Sequence, residues 1–475
     1  MPRLRERKEI RSYSPKPPKG GERFKWYGPG LIWMTASVGS GAVLFTPRIG
    51  SRYGYELLWL VPIVVFLMWV MIREVGWYTI ATGKTIMDGY GKVPGPKGWA
   101  IWLIFLPQVV AGVLTISGIA ALTGSTLMIA FPGSLEIYTT IVTILSAVLV
   151  VSGQYKVVER ATTIMAGLLV AAAVITAARV FPAVNQLAAG LMPSIPEDFD
   201  LEFVLPWVGF MLAGSAGIMW FSYWVCAREY GGPMEDNDED NNEAEDLDEE
   251  YREWRNFRLK QWIQIMSTTA AIGAIGGGIV VIAFLILGTQ LLRPEGIIPE
   301  GIQVAQDLTQ LLSQVWGNFG FWLMIVGVVI ALAGTLLTNQ DGWGRLFADC
   351  TLILFEPQMR NLQAEHDNNG NNLQQWIFSN LTDRKWLTNA YAIWAVTILP
   401  LIVFFIVRDP VEILSWGGIV TVIHNPVVVF LTLFVNRQQL PKAMQPGLFS
   451  FIFMIVSGIF FTGFAILYFF DLFGI

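Results

Sequence analysis

The stretch Gly30-Leu-Ile-Trp-Met-Thr-Ala-Ser-Val-Gly-Ser-Gly-Ala-Val-Leu-Phe-Thr-Pro-Arg-Ile-Gly50 reads as an apolar helix interrupted at its middle by Gly39, Ser40 and Gly41. Two glycines around a serine weaken helix propagation and leave backbone N–H and C=O groups free to face a ligand. A second stretch of this kind, Ala213-Gly-Ser-Ala-Gly217, contains no bulky side chain and runs on to Met219 and Trp220. Both lie near the middle of apolar runs long enough to cross the ~30 Å hydrocarbon layer of a bilayer. Eleven such runs fall near 29–47, 55–80, 99–131, 135–153, 161–180, 203–226, 262–292, 316–338, 386–407, 412–435 and 446–470. The interrupted runs are the first and the sixth, so they open two successive groups of five. Matching breaks in the first helix of each half are the sequence mark of an inverted-repeat transporter with its site at the membrane midplane.

Composition fits this reading and excludes a water-soluble enzyme. The chain is 54% hydrophobic and only 14% charged, with mean hydropathy +0.52, against roughly a quarter charged for soluble domains. Two cysteines, Cys226 and Cys350, are too few for a disulfide framework or a thiolate metal cluster. No basic stripe with interleaved aromatics points to nucleic acid, and no cofactor or resident metal is expected. The expected fold is therefore all-α and integral to the membrane. It comprises a basic tail (1–27), a first repeat (28–180), a second repeat (203–437) with an acidic loop (229–255), and an extra C-terminal helix (446–475).

Charge sets the expected orientation. The tail carries nine Lys/Arg, from Arg3 to Lys25, and reads as disordered. If it is cytoplasmic, about 25 of the 31 basic residues fall inside, a bias that places the N-terminus in the cytoplasm and the C-terminus outside the plasma (inner) membrane. The acidic run from Glu235 to Glu250 alternates Asp236, Asp238 and Asp240 as a calcium loop does. Its sixth and twelfth positions are Asn241 and Leu247 rather than Gly and Glu, so it reads as a self-repelling linker. The Asn-rich stretch from His366 to Asn372 reads as a loop. Arg73 and Glu74 read as a paired boundary at the cytoplasmic end of the second span, and Asp341 as a cap at the end of the eighth.

From Gly28-Pro29-Gly30 through Arg52-Tyr-Gly-Tyr-Glu-Leu-Leu-Trp59 the chain resembles the first helix of the Nramp divalent-metal transporters. Looser similarity continues through Ala81-Thr-Gly-Lys84 and Tyr155-Lys-Val-Val-Glu159. The resemblance implies the inverted-repeat fold of the amino acid/polyamine/organocation superfamily. The departures concern the site. Where Nramp proteins carry Asp-Pro-Gly-Asn, this chain has Gly39-Ser40-Gly41-Ala42, and where they carry Met-Pro-His it reads Ile218-Met219-Trp220. The acidic positions of the family's third helix fall near Leu114 and Ser117, with no Asp or Glu between Gly98 and Leu135, and the tenth-helix Gln aligns with His424.

A divalent ion stripped of water requires anionic or several strong oxygen and nitrogen ligands, and a lone thioether with carbonyls does not supply them. A broken helix without a carboxylate instead presents a half-helix N-terminus, with free N–H groups and about half a positive charge, which suits an anion. The candidate substrate contacts are Ser37, Gly39, Ser40, Gly41, Ala42, Gly214, Ser215, Ala216, Gly217, Met219, Trp220 and His424, the last before Asn425-Pro426 in an expected break of the tenth helix. Thr335 and Thr338 share a face of the eighth helix and, by superfamily resemblance, are candidates for a coupling sodium. The preferred reading is a secondary transporter for a small anion such as bicarbonate, with sodium as a candidate partner. The alternatives are a divalent-metal carrier with altered ligands, an amino or organic acid transporter, and a non-transporting sensor. A sensor would be expected to carry a soluble output domain, whereas the chain ends at Phe473-Gly-Ile475.

Overall fold

The computed structural model describes residues 14–36, 39–153, 156–233, 249–366 and 380–474, and these are helical and loop throughout, with no strand. Ten helices or continuous helical stretches are long and apolar enough to cross a membrane, from Leu60–Thr82 to Leu448–Phe473. With the broken first span, formed by Gly28–Ala36 and the segment from Ser40 to Tyr53, the eleven expected spans are present. Large apolar side chains such as Ile141, Leu145, Ile459 and Ile466 are exposed on the fourth and eleventh spans, where hydrocarbon would cover them.

The breaks lie where side-chain sterics and backbone angles place them. The first half-helix is described over Gly28–Ala36, and past residues 37–38 the Gly39 carbonyl accepts from the Val43 N–H at 3.1 Å. One wide turn follows, in which the Thr46 N–H reaches back five residues to the Gly41 carbonyl. Ser37 lies outside the described residues. The sixth span runs Leu201–Phe210, breaks over Met211–Ala213, and resumes as Gly214–Ala227. This break sits slightly ahead of the small-residue run, because it is made by the positive φ of Leu212 (58°) and Gly214 (54°), while Ser215, Ala216 and Gly217 are already helical.

Four other expectations are corrected. The tenth span, Pro410–Gln438, is one continuous helix through His424-Asn425-Pro426, since a membrane helix tolerates the single N–H that proline removes. The eighth helix runs Val304–His366 with its kink at Gly317 (φ 58°), so Asp341 is not at a helix end and instead bonds Arg345 one turn on. The seventh helix begins at Glu249, inside the region read as acidic loop; residues 234–248 and 367–379 are outside the described part. The tail is not free from Ser14 onward. Its Ser14 carbonyl accepts from Arg258 and its Pro15 carbonyl from the Trp262 indole, and Trp26 packs edge-on against Trp262 at 4.5 Å. We call the side carrying this segment the N-terminal face.

The first half-helix is seated on the seventh span by close glycine contact. A Cβ on Gly30 would lie 1.9 Å from the Thr269 carbonyl oxygen, and one on Gly273 would lie 2.5 Å from the Gly30 oxygen. Both obstacles are backbone, so neither helix can yield locally. Gly30→Ala is expected to destabilise the protein by about 1–3 kcal/mol, the usual cost of overpacking. A thermal midpoint in detergent equal to that of the parent would contradict this seating.

Candidate functional site

The two breaks meet. A Cβ on Gly41 would lie 2.4 Å from the Phe210 carbonyl oxygen, and one on Gly214 would lie 2.5 Å from the Gly209 carbonyl oxygen. Glycine at 41 allows the approach of the two breaks, and glycine at 214 allows the tight turn of the sixth span and its positive φ. Between the breaks lies a cavity of about 40 Å³. Gly39, Ser40 and Gly41, which open the second half of the first span, line it together with Ala216, in the first turn of Gly214–Ala227, a turn whose leading N–H groups have no intrahelical partner. Thr115 of the third span, Thr335 and Asn339 of the eighth, and Thr421 of the tenth supply the polar walls, and Phe210, Trp220 and Trp343 the apolar ones.

The hydroxyls divide into two kinds. Thr335 and Thr421 donate to the carbonyls one turn back, Ala331 at 2.9 Å and Gly417 at 3.0 Å, so toward a ligand they offer lone pairs. The Thr115 hydroxyl is buried and has no partner. A buried hydroxyl without a bond costs about 1–3 kcal/mol, so this is a donor in the wall that a ligand atom would satisfy. No carboxylate, imidazole or sulfur lines this cavity, and no group of three or more His, Cys, Asp or Glu able to hold a metal occurs among the described residues.

Only some of the expected residues line this space. Gly39, Ser40, Gly41, Ala216, Trp220 and Thr335 do; Ala42, Gly214, Ser215, Gly217 and Met219 are buried behind it, and Thr338 opens on a different cavity. His424 sits one layer out. Its Nε2 bonds the Leu103 carbonyl at 3.2 Å, which makes Nε2 the donor and leaves Nδ1 to accept from the Gln108 amide at 2.9 Å. Gln108, fully buried in the third span, also donates to Ser215 at 2.9 Å and accepts from the Trp343 indole at 2.9 Å. One glutamine thus joins four spans around the cavity, and sequence reasoning missed it along with Thr115, Asn339, Trp343 and Thr421. The available signal was a neutral polar side chain inside an apolar run.

Two larger openings flank the centre. On the N-terminal face a cavity of about 190 Å³ is lined by Trp220, Tyr223, Thr338 and the Asp341–Arg345 pair. Beneath it Arg384 grips Asp349 through two bonds of 2.5 and 2.9 Å. In the short helix Ile86–Gly91, burial raises the Asp88 carboxyl above its ordinary range despite the bonds the N-cap Thr85 gives it. On the opposite face a mouth of about 390 Å³ gathers Asp200, Glu202, Glu300, Asp409 and Glu412 around Arg48.

The comparisons with known proteins agree with this frame. The sequence profile of the family described as "Natural resistance-associated macrophage protein-like" matches residues 30–342. An uncharacterized protein of Pasteurella multocida (strain Pm70) is 22% identical over 340 residues, 68% of this chain and 70% of its own length. The manganese transporter of Eremococcus coleocola is similar in structure. A single-site variant gives a TM-score of 0.61 over 96% of this chain and 89% of that one, and its complex with an aromatic bis-isothiourea compound gives 0.59 over 97% and 89%. Identity is 14% in both cases, which speaks for a shared fold alone. A profile match over well more than half of the 475 residues, on two broken helices that meet at a central cavity, shows that the chain belongs to the Nramp family of membrane transporters.

Proposed function

We propose that the protein moves a small anion, bicarbonate by preference, through the cavity between the two broken helices. The observation that carries this reading is the composition of that cavity: half-helix N-termini, one unpartnered hydroxyl and an amide, with no ligand suited to a dehydrated divalent ion. Size supports it. At roughly 10–15 Å³ per water-sized position, the space of about 40 Å³ takes some three positions, enough for a four-atom oxyanion and too little for an amino acid with a side chain. Bicarbonate adds one O–H donor, which the lone pairs of Thr335 and Thr421 can accept, while its oxygens take the Thr115 hydroxyl, the Asn339 amide and the backbone N–H groups.

In this proposal the N-terminal face is cytoplasmic, following the Lys/Arg excess, and the two halves, 28–180 and 203–437, form the moving frame. Sodium coupling through Thr335 and Thr338 would need these hydroxyls to converge. They open on separate cavities, and each donates to its own helix, so a sodium site would have to form in another conformation. A second reading, carriage of a divalent cation, is favoured by the five carboxylates of the opposite mouth, which would concentrate cations there.

Uptake into proteoliposomes separates the readings. Labelled bicarbonate is expected to accumulate and manganese not, with a sodium gradient as a further variable. Thr115→Val, which removes only the free hydroxyl, is expected to lower bicarbonate flux about tenfold to a hundredfold, since a hydrogen bond to a charged group is worth roughly 1.5–3 kcal/mol. Manganese flux without bicarbonate flux would overturn the anion proposal.

A further inference from the structure

Among the described residues one side chain, Trp220, lines both the central cavity and the vestibule on the N-terminal face. It is 3% exposed and its indole N–H has no partner. The eighth helix runs past it, with Gly334, Thr338 and Gly342 on the vestibule and Thr335, Asn339 and Trp343 on the central cavity, so the two spaces adjoin along one helix and are parted at the tryptophan ring. The vestibule itself reaches the surface, since on its wall Ala227 is exposed and Arg345 half-buried. Closure toward the opposite mouth is deeper. Phe45 stacks on Phe210 at 5.7 Å, and beyond them Arg48 lies over Phe203 at 4.6 Å and bonds Glu300 at 3.1 Å.

The Trp220 ring is held from the far side. Trp343 meets it edge to face, with centroids 5.0 Å apart and an interplanar angle of 81°. The Trp343 indole is tied to Gln108, and the amide of Gln108 is oriented by its two other partners, His424 and Ser215. Because the His424 Nε2–H is spent on Leu103, Nδ1 can only accept, so the glutamine NH₂ must face His424 and its oxygen must face Trp343. Gly342 leaves room for the ring, as a Cβ there would lie 2.6 Å from it.

We infer that Trp220 is the single-residue gate between the central cavity and the vestibule, and that Gln108, oriented by His424, latches it shut through Trp343. The inference rests on the proposed role of the central cavity as the substrate site, yet its test needs no substrate. It gives His424 a positioning role in place of direct contact, and it makes the tryptophan the residue that sets what size of solute leaves toward the N-terminal face.

The test is thiol accessibility in purified protein whose own Cys226 and Cys350 have been replaced. Ala216→Cys reports on the central cavity and Thr338→Cys on the vestibule, each labelled with a small charged methanethiosulfonate reagent. With Trp220 present, the vestibule thiol is expected to react and the central thiol to be protected. Trp220→Ala is expected to raise the rate at the central thiol about tenfold or more, as loss of the aromatic packing that holds one of two states shifts their populations, with the vestibule rate unchanged. Should Trp220→Ala fail to give folded protein, Trp343→Phe and Gln108→Leu, which cut the latch and leave the gate in place, are expected to raise the same rate. Protection that persists in Trp220→Ala while the vestibule thiol reacts would overturn the gate. An unchanged central rate in both latch variants would overturn the latch. Absence of bicarbonate flux together with gated labelling would sink the substrate reading alone.

Discussion

Gly41→Leu is expected to abolish transport while leaving a folded protein. The position tolerates no side chain in this conformation, because the first added atom would lie 2.4 Å from the Phe210 carbonyl oxygen and 2.9 Å from its carbon. Both are backbone atoms at the end of the first half of the sixth span, so the added group must push the two breaks apart or swing into the cavity. Either outcome removes the geometry that brings two half-helix N-termini to one point, and a space of about 40 Å³ has nowhere to absorb four carbons. The energetic cost of overpacking, about 1–3 kcal/mol, is small beside the loss of the site. Flux should fall by about a hundredfold or more if each of two charge-directed hydrogen bonds, worth roughly 1.5–3 kcal/mol apiece, is lost. Gly447→Leu is the control, since nothing lies within 4 Å of a Cβ there and its φ is negative. Parent-like flux in Gly41→Leu would mean that substrate passes elsewhere, whatever the substrate is.

How much of this was legible in the sequence follows from what each signal depends on. The spans were readable because a run of about 20 apolar residues is visible in the local sequence without any knowledge of packing. The first break was readable because Gly39 and Gly41 announce it. The second lay a few residues from its expected place because Leu212 adopts a positive φ, a conformation that β- or γ-branched residues rarely take and that no residue type signals. His424-Asn425-Pro426 looked like a break and is not one, since proline costs a membrane helix one hydrogen bond and neighbouring helices hold its axis. Of the candidate site, only the half made by Gly39, Ser40, Gly41 and Ala216, with Trp220 and Thr335, coincides with residues expected from the sequence. Gln108, Thr115, Asn339 and Trp343 are neutral residues in apolar runs, and whether such a residue faces lipid, a neighbour or a cavity depends on helix rotation, which packing alone decides. Arg73 and Glu74 were the converse case, visible because charge in hydrocarbon is always conspicuous.

That pair supports the second large effect. Glu74 is 2% exposed in its side chain and sits within the second span, with one carboxylate oxygen 3.4 Å from the Arg73 guanidinium and the other accepting from Asn436 of the tenth span at 3.2 Å. Arg73 also donates to Ser267 of the seventh span at 3.1 Å and to Ser450 of the eleventh at 2.7 Å. Removing one member of a buried pair leaves the other uncompensated, at about 3–5 kcal/mol. Glu74→Leu should therefore lower the thermal midpoint markedly. Glu74→Gln, which keeps an acceptor for Asn436, should lower it less. Arg73→Leu combined with Glu74→Leu should recover part of the loss, because no lone charge then remains. An intramembrane carboxylate is also a natural suspect for ion coupling, and the same variants decide between the two roles. A structural tie predicts that stability falls in the order given while the flux per folded molecule of Glu74→Gln stays near that of the parent. A coupling carboxylate predicts the reverse, with Glu74→Gln stable and without driven flux. A protein partner on each oxygen favours the tie.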